Sequence, residues 1–395
     1  MAMTKTFEMT HIGCWFKYDM YSHNCSNLLN AIRRRGVDVE VVTANCRCFS
    51  SRERFAITET ELVDARCKTI RIPCAPRTPF NKSNMLKYLL VKYLRLDLPL
   101  DVIRGIGYYL STRHAETVHY DQVLEAFGCF PLFVMALIPG ARRKKLLVTV
   151  HEIDPFQVAH RWINRVYRKC QCIFVFSENM KRELGQLGIS AERIRVIRYG
   201  ALIPKLSETE RSGYIYFGGH HILKGKGYKE VLGALQILKA RGFNLRLFAY
   251  YGYGCAGLAE AKEMAAREGV AGMIDWRDFM SGAELDVAYQ ASKACIVPFT
   301  GGSARHPVSA AMANATPVIA TRMIDIPEYL GDLGVYIDGS AESIAAAVEK
   351  IENSAAETAN LGRALRNKAA CELDFDGVAQ EVVREVQYGT DTKTT

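Results

Sequence analysis

The sequence has no C-x-x-C pair, no internal repeat of fixed period and no low-complexity tract. Solenoids, propellers, collagen-like repeats and wholesale disorder are thereby excluded. Its 12 cysteines are scattered, and several sit in apolar runs. Cys46-x-Cys48 and Cys170-x-Cys172 have the wrong spacing for the common zinc sites, so no structural metal is expected. The opening MAMTKTFEMT lacks the apolar core of a secretory signal. Reduced thiols in a cytosolic protein are the resulting expectation. The longest charge-free stretch, 126–141, contains two prolines and falls short of the roughly 18 residues of a membrane span. It runs into Arg142-Arg143-Lys144-Lys145, which reads as a buried helix leading into a basic turn; the competing reading is a re-entrant membrane segment.

What is present is an ordinary globular composition. The 395 residues are 49% hydrophobic and 24% charged, enough for two or three domains with cores that need no staples. The net charge of +9 is unevenly divided. Residues 1–200 carry 31 Lys+Arg against 18 Asp+Glu (+13), and the remainder 20 against 24 (−4). The halves face different partners, or one partner with different surfaces.

Apolar runs alternate with helical patterns, the signature of parallel α/β architecture. In the first half, 37–43, 146–150, 172–176 and 193–197 read as strands. A helix over 24–35 stops at Gly36, and Ser177 caps another. Residues 201–212, aperiodic and containing Pro204, read as a linker. A second series follows. Its strands are 214–217, 245–249, 273–276, 294–297 and 317–320, and its helices 228–241, 256–268, 283–291 and 308–313. Residues 341–351 and 377–386 read as terminal helices. Two doubly wound halves of about 200 residues would each bind ligand at the carboxyl ends of their strands.

Three stretches carry candidate chemistry. Residues 217–227, FGGHHILKGKG, join a strand to a helix. Gly218 and Gly219 allow close backbone approach, and His220, His221, Lys224 and Lys226 suit a phosphate at a helix N-terminus; a solvated basic turn is the alternative. Residues 298–307, PFTGGSARHP, occupy the same kind of junction. Gly301, Gly302, Ser303, Arg305, His306 and Pro307 fit an anion held by backbone N–H groups; the alternative is an ordinary loop with an exposed arginine. Thr149-Val150-His151-Glu152-Ile153-Asp154 places a histidine and two carboxylates at a strand's carboxyl end, where a catalytic His151 competes with a structural one.

Several of these stretches resemble retaining glycosyltransferases of family 4. HPVSAAMANATPVIATRMIDIPEYL is similar to that family's P-x-x-E-A-M-A-x-G-x-P-V-I-A-T…I-P-E signature. YIYFGGHHILKGKGYKEVLGAL resembles its "G-R" turn and "K-G" helix start, and WRDFMSGAELDVAYQASKACIVPF the segment before its donor loop. LLVTVHEIDPF and CIFVFSENMKRELGQLGISAERIRVIRYGAL look like its "T-V-H-D" strand and "V-S-x-x…I-x-V-I-x-N-G" passage. GCWFKYDMYSHNCSNLLNAIRRRG stands, more weakly, where the family has a Gly-rich turn and helix.

The resemblance implies the GT-B fold, two Rossmann-like doubly wound domains facing across a cleft. It implies an acceptor domain over 1–203, a nucleotide-sugar domain over 213–372, and a helix over 373–390 packing back on the first domain. It implies transfer of a sugar, with retention, from a nucleotide-sugar donor. By position, Lys226 matches the lysine that binds donor diphosphate, with Lys224 beside it. His220 or His221 replaces the family arginine, and His151 matches the active-site histidine. Gly302 and Ala310 stand where the family has its two glutamates, so both carboxylates are missing, and Arg305 lies between them. A catalytically inactive, glycosyltransferase-like scaffold is the competing reading. No cofactor or metal is expected, because basic side chains and helix N-termini can stabilise a leaving diphosphate.

Residues 82–113 interleave Lys82, Lys87, Lys92, Arg95, Arg104 and Arg113 with leucines and tyrosines. This suits a surface lying on anionic lipid, against the alternative of a core helix with snorkelling lysines. A cytoplasmic protein, peripheral at the inner face of a membrane and acting on a glycan or lipid-linked acceptor, is the expectation. Nucleic acid is not expected as a partner, since no RNA- or DNA-binding motif is present.

Overall fold

The computed structural model of the chain describes residues 8–13, 20–44, 66–70, 98–122, 130–151, 153, 166–207, 210–277, 282–323 and 325–388. The chain divides into two units, 1–198 with 378–395, and 199–377.

The first unit is a parallel sheet of seven strands. These are β1 (Met9–Gly13), β2 (Val39–Ala44), β3 (Arg66–Ile70), β4 (Thr117–Gln122), β5 (Lys145–Val150), β6 (Cys172–Val175) and β7 (Ile194–Val196). The order is β3-β2-β1-β4-β5-β6-β7, so the chain reverses direction across the sheet between β1 and β4, the switch point where such sheets bind ligands. Helices α1 (Met20–Arg34), α2 (Leu98–Ser111), α3 (Phe130–Leu137) and α4 (Glu178–Gln186) accompany it. The Ser177 hydroxyl caps α4 by accepting from the Met180 N–H at 3.1 Å, as its place before Glu178 predicts.

The second unit repeats the plan. Its strands are β8 (Gly213–His221), β9 (Leu247–Ala256), β10 (Ile274–Arg277), β11 (Ser292–Val297), β12 (Val318–Thr321) and β13 (Val335–Ile337). They lie in the order β10-β9-β8-β11-β12-β13, with the switch point between β8 and β11. Helices α5 (Tyr228–Ala240), α6 (Leu258–Arg267), α7 (Gly282–Gln290), α8 (Arg305–Ala313), α9 (Ile326–Leu330), α10 (Ala341–Asn353) and α11 (Ala355–Glu372) fill it out; α12 (Phe375–Tyr388) runs back into the first unit.

The core of the second unit follows from periodicity. Val231, Ala234, Leu235 and Leu238 form the apolar stripe of α5 and pack with Ile344 and Val348 of α10 on Tyr214, Tyr216 and Leu247. Each such side chain contributes about 1.5–3 kcal/mol on burial. Gly233 lets the two helices approach, since a Cβ there would meet the Ala341 Cβ at 2.9 Å.

Several boundaries differ from expectation. Helix α8 begins at Arg305, not Val308, because Pro307 sits in its first turn, where an N–H has no intrahelical partner to lose. Strand β9 runs on to Ala256, because the tail of β8 continues to pair with it through two irregularities, Gly219 to Tyr251 and His221 to Ala256. The 18-residue α11, for which no expectation was drawn, is one of the longer helices. Residues 201–212 are bound to the second unit. The Arg211 guanidinium donates to the Ser292 and Ala315 carbonyls at 2.8 Å each, and Arg366 donates to the Pro204 carbonyl at 2.6 Å.

The basic turn at 142–145 is only partly a surface. Lys144 and Lys145 are buried, and burial lowers the pKa of both ammonium groups. The Lys144 ammonium donates to the Thr112 and Ala115 carbonyls at 2.6 and 2.5 Å, closing the end of α2. The stretch 82–97, residues 126–129, and Glu152 and Asp154 lie outside the described residues.

Candidate active site

In the second unit the two Gly-rich turns follow β8 and β11, which are adjacent and parallel. Both therefore open at one edge of one sheet, at its switch point. They are in backbone contact. The Thr300 and Gly301 N–H groups donate to the Gly225 carbonyl at 3.1 and 3.2 Å. Gly227 has φ +66°, and a Cβ there would lie 2.2 Å from the Pro298 carbonyl oxygen. Only glycine permits this approach without moving a turn.

The contact places Lys226. Its ammonium lies 3.8 Å from the centre of the Phe299 ring, and a Cβ on Gly302 would be 3.7 Å from its Nζ. The sequence left Lys224 and Lys226 as competitors. The structure separates them: Lys224 is exposed, whereas Lys226 is half-buried against the second turn. Gly218 is buried, closed in by Ile222, and Gly219 and Gly302 adopt positive φ. His220 and His221 end β8, with side chains outside the described set. Ser303 is half-buried, and the buried Pro307 lies within α8. The His306 ring packs at 6.0 Å on Phe217 and 6.2 Å on Tyr199.

Arg305 is not at the surface. It forms a buried ion pair with Asp325, from the approach to α9. Sequence reasoning missed Asp325, whose only signal is a lone acidic residue in the apolar passage before Ile326.

In the first unit His151 directly follows β5 and belongs to a polar stripe on one face of the sheet. Parallel sheets covered on both faces are normally apolar. Here His11 of β1 stands opposite His119 of β4, and Asp121 of β4 opposite Thr149 of β5. Residues two apart on a strand share a face, so His119 with Asp121, and Thr149 with His151, line up. Cys25 of α1 meets them. The His151 Nε2 lies 2.5 Å from Asp121 Oδ1, and His119 Nε2 lies 2.8 Å from the Thr149 hydroxyl. The two Nδ1 atoms of His11 and His119 are 3.0 Å apart, and His11 Nε2 is 3.1 Å from Cys25 Sγ. The rings of Phe174 and Phe176 flank His119 and His151 at 5.9 and 5.0 Å.

Burial governs the charges. It lowers His11 to about 4 and His119 to about 3, so both are neutral imidazoles at pH 7. It pushes the Cys25 thiol well up, reinforced by the Asp121 charge and hydrogen bond. Burial alone would raise the Asp121 carboxyl, but the charge and hydrogen bond of His151, with His11 and His119 behind them, hold it below the usual range. Of this cluster the sequence singled out only His151. The signal for the rest was the His119-Tyr120-Asp121 alternation inside an otherwise apolar strand.

The fold defines a class of architecture: two doubly wound α/β units, the second with Gly-rich turns at its switch point and a lysine held over one of them. Residues 23–200 match the Glycosyl transferase 4-like domain, and residues 212–354 match Glycosyl transferases group 1. No curated protein matches the chain in sequence. Among solved structures, the chain is similar to Anabaena HepE in complex with UDP and glucose, at 14% identity and TM-score 0.72, over 97% of this chain and 100% of that one. It is similar to sucrose-phosphate synthase from Thermosynechococcus elongatus, at 15% identity and TM-score 0.68, over 95% and 96%. It is also similar to WaaG, a glycosyltransferase involved in lipopolysaccharide biosynthesis, at 12% identity and TM-score 0.64, over 96% and 100%. At such identities the likeness carries the fold. With the two domain matches it is decisive: the chain belongs to the GT-B glycosyltransferases.

Proposed function

We propose that the chain moves a hexose, with retention of anomeric configuration, from a nucleotide-sugar donor to a glycan or lipid-linked acceptor, and that it needs no metal to do so. The observation that carries this reading is Lys226, whose ammonium is held over Phe299 beside Gly302, where two Gly-rich turns meet. Charge develops on the leaving diphosphate as the glycosidic bond breaks. A cation fixed there in advance acts on the transition state more than on ground-state binding. The N-termini of α5 and α8 follow the same two turns and add their partial positive charge. In this reading His151 is the group of the first unit that meets sugar or acceptor.

The test is a screen of the purified protein against UDP-, GDP-, ADP- and dTDP-sugars, with and without EDTA. The expected result is saturable binding of one donor with turnover that EDTA leaves intact. Activity lost in EDTA and restored by magnesium or manganese would overturn metal independence.

A second reading, a catalytically inactive glycosyltransferase-like scaffold, is favoured by one specific arrangement. Gly302 and Ala310 supply no carboxylate, and the charge of Arg305 is met by Asp325. Binding without turnover for every donor and acceptor tried would establish it.

We further propose a peripheral position at the inner face of a membrane. Its support is the basic first half and the outward face of α2 and α3. There Val102, Ile103, Ile106, Leu110 and Leu137 are exposed apolar side chains, Ile103 and Leu110 at 53% and 54%.

A further inference from the structure

The polar stripe of the first unit does more than supply His151. Its polar atoms meet from strand to strand. His11 Nε2 lies 3.1 Å from Cys25 Sγ, the Nδ1 atoms of His11 and His119 face each other at 3.0 Å, so that one donates and the other accepts, and His119 Nε2 lies 2.8 Å from the Thr149 hydroxyl. The Asp121 carboxylate, ionised and therefore only an acceptor, takes the N–H of His151 Nε2 at 2.5 Å.

We propose that Asp121 is a positioning residue for His151: its carboxylate, buried among His11, His119, Thr149 and Cys25, fixes the ring of His151 with a proton on Nε2. This rests on the reading of His151 as the residue that meets substrate. All six groups are buried, so water cannot substitute freely for a lost partner, and a partly satisfied network costs more than it contributes. The strand register supplies the precision. His11 with His119, and Asp121 with Thr149, are direct cross-strand neighbours, and the stripe sits at the switch point of the sheet. Its chemical consequence is that Nε2 of His151 is engaged by Asp121, which leaves Nδ1 as the ring nitrogen not held by the carboxylate.

The experiment reads the tautomer and the kinetics separately. Histidine-labelled protein is examined by 15N NMR, with the His151 signals assigned from their loss in His151→Phe. The expected wild-type signature is a proton on Nε2. Asp121→Asn, whose amide can accept or donate, should lose that fixed signature. It should also lower kcat by about 10²–10⁴-fold, the range for a positioned acid–base group, with KM for the nucleotide-sugar unchanged.

A wild-type His151 with its proton on Nδ1 would overturn the proposal. So would Asp121→Asn with an unchanged signature and unchanged kcat. If the wild-type chain turns over no donor, the transferase reading fails, while the tautomer of His151 in the wild type and in Asp121→Asn still decides the positioning claim.

Discussion

The guanidinium of Arg305 lies 2.5 Å from the carboxylate of Asp325, with the two side chains only 4% and 7% exposed. Two buried charges that neutralise each other are tolerated; one alone is not. Asp325→Ala or Arg305→Ala should each destabilise the protein by about 3–5 kcal/mol, since each leaves its partner as an uncompensated buried charge. The double replacement Arg305→Met with Asp325→Leu should recover most of that. Urea unfolding of the four proteins checks it, and single variants as stable as the wild type would refute a structural role for the pair.

Lys226→Ala should lower turnover by about 10²–10³-fold, by analogy with losing one donor to a developing anion. Its stability should change little, because the side chain is only half-buried. Lys224→Ala, at an exposed position, is the matched control and should stay near wild type. Equal turnover in both variants would remove the lysine from the leaving-group site.

Acid should destabilise the first unit well before its carboxylates protonate. His11 and His119 have their values lowered from 6.5 to about 4 and about 3. Below 6.5 the unfolded chain therefore binds protons that the folded chain refuses. Their contribution is complete above 6.5 and declines as pH falls toward 4 for His11 and 3 for His119. Two such groups give a slope of roughly 2.7 kcal/mol per pH unit between about pH 6 and 4. Asp121, held low, adds stability that is lost only at still lower pH. Urea midpoints from pH 7.5 to 5 should fall steadily, and His119→Gln should flatten the slope by about one proton. A flat profile would mean that the histidines are solvated or already charged.

Membrane association should depend on salt and on lipid charge. Each Lys or Arg near an anionic surface contributes about 1 kcal/mol and is screened beyond a Debye length of about 10 Å at 0.1 M salt. Flotation with phosphatidylserine-containing vesicles should recover the protein at low salt and lose it at high salt. Ile103→Ser with Leu110→Ser should weaken recovery at all salt concentrations. Equal recovery on neutral and anionic vesicles would exclude the electrostatic part.

The sequence by itself determined the elements and their class. Hydrophobic periodicity placed β5, β6, β8, β11 and β12 to within a few residues, and α5 with its stripe from Val231 to Leu238. These patterns record which face of an element leaves water, a local property that neighbouring residues encode. The Gly-rich junctions were legible for the same reason. Gly227 precedes a helix start, and Gly302 lies between a strand and a helix. Strand β4 was not legible, because His119 and Asp121 interrupt the apolar run that marks a buried strand.

Only the tertiary structure decided which side chains meet. In the sequence Arg305 is a candidate for holding an anion, with an exposed loop arginine as the alternative; only the fold brings Asp325, twenty residues away, against it. Lys226 matches the family lysine by position with Lys224 a near competitor, and their different settings come from the turn after β11 packing on Lys226 alone. Cys25, His11, His119, Asp121 and Thr149 come from α1, β1, β4 and β5, and their contact depends on β4 pairing with β1 across the switch point. Strand order is fixed by how whole faces are buried against one another, and no local stretch of the chain carries that information.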